Sequence, residues 1–122
     1  MKRSGSRSAA ACAAAVAGML ALVPAAASAA PSTLVECIEG SEFIGNAAAS
    51  RDNGLSREAF LDRLEGDFVA IRVFPVALRW FVKDADDERF LRTAVEDVFD
   101  RPQAPDSHRT AFFAACVSRA GA

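Results

Sequence analysis

The chain has 122 residues, with 16 acidic and 14 basic side chains and a net charge of −2. That length holds one domain. The missing basic surplus argues against nucleic acid or an anionic membrane surface as a partner, since both attract a positive footprint.

Residues 1–29 read as a secretory signal peptide. Lys2, Arg3 and Arg7 form a basic start, Ala9 to Val23 is an unbroken small-apolar run, and Ala27-Ser28-Ala29 fits a signal-peptidase site. The alternative is a transmembrane anchor, but the run falls short of the roughly 20 residues a spanning helix needs. Cys12 lies too early in it for a lipoprotein site. Residues 30–122 then form a single helical domain. It keeps 11 bases against 16 acids, a net charge of −5, and no stable membrane insertion is expected of it. Its two cysteines are Cys37 and Cys116. An even count in a small exported domain predicts a disulfide, and without a CxxC motif a redox or zinc role is disfavoured.

In chain order, Thr33 and Glu36 form a capping-box pattern. Leu34, Cys37, Ile38, Ser41, Ile44, Gly45 and Ala48 share one helical face. Gly40 and Gly45 suggest close approach by another helix. Phe43 points elsewhere, as a second contact or an exposed aromatic. Asp52-Asn53-Gly54 stops this helix. Ser56 caps the next, with Leu55 and Phe60 as a hydrophobic staple and Gly66 as its expected end. Asp67–Phe74 is ambiguous between helix and strand. No second strand exists to pair with it, so a short helix capped by Asp67 is expected, with Arg72 needing a partner or a route to water. Pro75 then opens a third main helix ending near Lys83 and carrying Val76, Ala77, Trp80 and Phe81. Asp86 caps an amphipathic helix carrying Phe90, Leu91, Ala94, Val95, Val98 and Phe99. Asp106 caps the last helix, whose apolar face holds Phe112, Phe113, Cys116 and Val117. The fold expected is all-α: a small bundle of four to five short helices, closed by a disulfide between Cys37 and Cys116 on the first and last.

Candidate chemistry is sparse. Asp84, Asp86 and Glu88 alternate like calcium ligands, but Arg89 stands where the loop glycine belongs and Val95 where the closing carboxylate belongs. Helix capping explains the cluster. His108, the one histidine, is a candidate general base with Asp106 nearby, although a solvated first-turn position is the plainer reading. Ser107, Thr110 and Ser118 carry no nucleophile motif. No catalytic residue, metal or cofactor is therefore assigned. Phe43, Arg79 and Trp80 are the candidate interaction surface, since Trp and Arg anchor interfaces; the alternative places Trp80 in the core with Arg79 solvated beside it.

An early cysteine, the turn Ala47-Ala48-Ala49-Ser50-Arg51-Asp52-Asn53-Gly54 and a late cysteine resemble small exported two-cysteine helical proteins of Gram-negative bacteria. The general character is also similar to immunity proteins against type VI secretion amidases and to periplasmic acid-stress chaperones. The chain is expected to be a periplasmic or secreted, non-enzymatic protein-binding module such as an inhibitor or immunity-type protein, with an envelope protein as partner. A holdase chaperone and an enzyme using His108 are the alternatives.

Overall fold

Thr33 opens the first helix in the computed structural model, which describes residues 31–121 together with Gly18. The signal-peptide and cleavage readings fall on residues outside these, Gly18 apart. The Thr33 hydroxyl accepts from the Glu36 N–H at 3.1 Å, and the Glu36 carboxylate accepts from the Thr33 N–H at 3.2 Å. Helix α1 (Leu34–Asp52) follows from this reciprocal cap. Helix α2 (Arg57–Ile71) starts on the Ser56 cap, α3 (Ala85–Asp100) on Asp84, and α4 (Pro105–Ala120) on Pro105. A 3-10 turn, Val76–Leu78, lies between α2 and α3. The described residues contain no strand.

Helix α1 is the axis. Its buried face is Cys37, Gly40, Ser41, Ile44, Gly45, Ala47 and Ala48. Leu34 and Ile38, expected on this face, are exposed and lie outside the strip that α1 buries. The small residues admit α4 closely. A methyl group on Gly40 would stand 2.6 Å from the Phe112 ring, and one on Gly45 would stand 2.7 Å from the Arg109 guanidinium. Near one end of this contact, Cys37 and Cys116 form the disulfide, with Cα atoms 5.6 Å apart and neither residue more than 1% exposed.

Four expectations are corrected. Helix α2 runs through Gly66 instead of ending there, so residues 67–71 are its last turns and Asp67 is no cap. Phe60, Leu64 and Phe68 form one continuous buried face. Burying Phe68 is worth about 1.5–3 kcal/mol, more than the roughly 1 kcal/mol a helical glycine costs. The third main helix from Pro75 is absent. Residues 76–78 make only a 3-10 turn, and Trp80 has φ +55°. That left-handed residue reverses the chain so that Phe81 and Val82, sequence neighbours, are both fully buried, while Val76 and Ala77 are exposed. Asp84, not Asp86, caps α3, accepting from the Asp87 N–H at 2.9 Å. Finally, Asp106 does not cap α4: Ala104 is the cap residue, with no side-chain bond, and Pro105 supplies a first-turn position lacking an N–H.

Aromatic rings link the elements through tilted and edge-to-face contacts. Phe99 meets Phe60, Phe60 meets Phe43, and Phe43 meets Trp80. Trp80 meets Phe81, which meets Phe112, which meets Phe90. Centroid separations run from 4.5 to 5.9 Å, the range in which such pairs attract.

Three stability outcomes follow from this packing. Gly66→Ala, at an exposed helical site with nothing within 4 Å of the new methyl, should stabilise by about 0.5–1 kcal/mol in denaturant unfolding. Gly40→Ala should destabilise, because the methyl meets a packed ring. Cys37→Ser and Cys116→Ser should each cost about 2–5 kcal/mol by similar amounts, and thiol labelling of unfolded, unreduced protein spanning residues 30–122 should find none free. Single mutants as stable as wild type would contradict the closure.

Candidate functional site

Between α2 and α3 the chain presents an apolar loop. Val73 is 83% exposed, Leu78 70% and Phe74 55%. Val69 on α2 and Val76 extend the patch. Of nine phenylalanines, Phe74 alone falls in the exposed class. Ordinary hydrophobic burial therefore does not hold this loop in shape; Arg79 does. Its Nε donates to the Phe74 carbonyl at 2.7 Å and its Nη2 to the Arg72 carbonyl at 3.0 Å. Its Nη1 reaches the Lys83 carbonyl at 3.4 Å. One planar guanidinium thus ties three turns of backbone together.

The loop is anchored at both ends. Arg72 makes a two-pronged ion pair with Glu88, which is 10% exposed; this is the partner its position required. Lys83 pairs with Glu36 on α1 at 3.1 Å. Asp87 is buried at the head of α3, accepting from the Lys83 N–H at 3.0 Å and from Arg119 of α4 at 3.2 Å. The acidic run therefore does structural work: Asp84 caps, Asp87 and Glu88 brace the loop and the end of α4, and Asp86 pairs with Arg89.

A second polar node lies at the far end of α1. His108 is 6% exposed, not solvated. Its Nε2 accepts from the Gln103 N–H at 3.0 Å and lies 3.4 Å from Arg51 Nη1. Arg51 donates to the carbonyls of Val98 at 2.6 Å and Gln103 at 2.7 Å, so both side chains fasten the α3–α4 connection onto α1. The pairing of His108 with Asp106 is not formed, because Asp106 turns to Arg109 at 2.9 Å.

The structure joins two of the three predicted interaction residues. Phe43 packs edge-on against Trp80 at 5.9 Å, and the Trp80 indole N–H donates to Glu39 at 2.8 Å. Arg79 is next in sequence but faces the loop carbonyls. All three stand behind the apolar loop and support it, whereas Val73, Phe74 and Leu78 form its outer surface. Those residues were missed because Asp67–Phe74 reads as a short helix and Pro75–Lys83 as a second helix with an apolar stripe. The available signal was the density of apolar residues around Pro75, more than one helix face can bury. No helix among the described residues is long and apolar enough to cross a membrane. No family model, curated protein or solved structure matches this chain.

Burial of His108, and then the Arg51 charge, push its pKa below the ordinary 6.5, against weaker pulls from Asp97 and Asp52. The folded state holds the ring neutral, while the unfolded chain takes up its proton near 6.5. Falling pH through that value therefore favours the unfolded state. Glu65, held by Arg92, and Glu36, pushed up by burial but lowered on balance by Lys83 and Thr33, lie below the usual carboxylate range and titrate later. The melting temperature should therefore fall between about pH 7.5 and 5.5. In His108→Gln, which keeps an acceptor for the Gln103 N–H, that slope should be reduced. An unchanged slope would assign it to other groups.

Proposed function

We propose that the mature chain is an exported, non-enzymatic protein-binding module of inhibitor or immunity type, with the loop Val73–Leu78 as the element that enters its partner. The observation that carries this reading is a projecting apolar loop held in one shape by Arg79. A preorganised loop loses little freedom on binding, and an exposed apolar patch on a small domain marks an interaction site. A periplasmic or secreted location is supported by the disulfide, a bond that persists in oxidising compartments. His108 is occupied structurally, with its Nε2 accepting from the Gln103 N–H, which supports binding over catalysis. A holdase would use the same apolar surface, but on many clients.

The test compares wild type with the double variant Val73→Asp/Leu78→Asp. Both positions are exposed, so the melting temperature should not change. One envelope protein should co-purify with wild type, and its purified form should bind the variant roughly tenfold or more weakly. Arg79→Ala should also weaken binding although it leaves the contact surface in place. Equal binding by all three would remove the loop from the interface. Suppression of aggregation across unrelated clients, without a single stoichiometric partner, would establish the holdase instead. N-terminal sequencing should find the mature protein starting at or near Ala30.

A further inference from the structure

A groove of about 300 Å³ runs between α3 and α4, floored by Ile44 of α1. The two helices differ along it in a regular way. At one end stand the Phe90 and Phe112 rings, 5.2 Å apart, with Ala115 opposite. At the other end stand Asp97 and Arg101 of α3 and His108 of α4. Ala94 and Ala111 lie between, and their short side chains keep the slot open. The groove is therefore apolar at one end and polar at the other. It falls at the small limit of ligand cavities, which run from about 300 to 1,000 Å³, so it suits a single ring rather than a larger molecule.

The polar end selects the head group. Asp97 and Arg101 pair at 2.6 Å, so their charges offset and no net charge awaits an ion. The Asp97 carboxylate accepts only. His108 uses Nε2 to accept from the Gln103 N–H, which fixes its neutral ring proton on Nδ1 as a donor. No protein group among the described residues accepts from that Nδ1–H. A head group that can accept from His108 and donate to Asp97 is a hydroxyl. The aromatic walls favour a ring as the body.

We propose that the α3–α4 groove is a binding site for a small uncharged phenol, its ring beside Phe90 and Phe112 and its hydroxyl between His108 and Asp97. This site is separate from the loop Val73–Leu78 and does not depend on the protein-binding reading. It requires no reaction: the site binds and releases the phenol unchanged.

The test is a titration of the mature, disulfide-bonded protein with phenol, benzene and benzoate, followed by backbone and imidazole NMR. Phenol should give saturable shifts confined to residues around 94, 97, 108, 111 and 115. It should bind about tenfold more tightly than benzene, the value of one or two net hydrogen bonds, and more tightly than benzoate. Asp97→Asn, which keeps an acceptor without the charge, should weaken phenol more than benzene. Ala94→Phe/Ala115→Phe, which fills the slot at a half-buried and an exposed helix position, should abolish the shifts while retaining the wild-type spectrum elsewhere. No saturable phenol shift, equal binding of phenol and benzene, or unchanged phenol binding in the filled variant would each overturn the proposal.

Discussion

The close contact of α1 with α4, sealed by the Cys37–Cys116 bond, is the constraint on which the other elements depend. Gly40 and Gly45 let the helices approach, and Phe112 and Arg109 occupy the space that side chains would have taken. Helix α3 packs on α1, and α2 packs on α3, so both are referred to a pair that is covalently tied. The bond spans 79 positions, and chain-entropy reasoning credits a closure of that size with about 4–5 kcal/mol. Net stabilities of small domains are about 5–15 kcal/mol. A single bond thus accounts for a large share of what separates folded from unfolded.

The loop between α2 and α3 obeys a different logic. Its apolar residues point outward, and its shape comes from polar ties and from Trp80. A tryptophan at φ +55° carries strain of about 1–3 kcal/mol. Here the indole offsets it by packing on Phe81 and Phe43 and bonding to Glu39. The left-handed turn drives Phe81 and Val82 inward together, and the same turn leaves Arg79 facing the loop carbonyls. Strain at residue 80 and order at residues 72–78 are parts of one arrangement.

Local chemistry was legible in the sequence, and of the long-range chemistry only the disulfide was. The Thr33–Glu36 and Ser56 caps are contained within a single turn, so their residues announce them. The disulfide was legible because only two cysteines remain after residue 29. Gly66 misled because its penalty is local, whereas the burial of Phe68 that overrides it is tertiary; the Phe60–Leu64–Phe68 spacing held the correct reading. Asp84 and Asp86 satisfy the same capping pattern. What decides between them is Asp87, which must turn inward to Lys83 and Arg119, on other segments. The Pro75–Lys83 stretch has helical apolar spacing but no side-chain cap, and three carbonyls bound by Arg79 outweigh a short, marginal helix. His108 looked solvated because its burial depends on Gln103 and Arg51, neither of which a helical pattern brings to mind.

Because the covalent ring formed by Cys37 and Cys116 encloses every element from early α1 to late α4, it also encloses the exposed loop. An exposed loop is where a protease reaches the backbone most readily. A single cut at residues 73–78 would not release a fragment: the two pieces would stay joined through the disulfide, with α1 and α4 still packed across it. The loop's tip would become two free ends on an otherwise intact scaffold. Met by such a protease, the molecule would change from a continuous chain to a nicked, two-chain form while keeping both pieces and most of its fold.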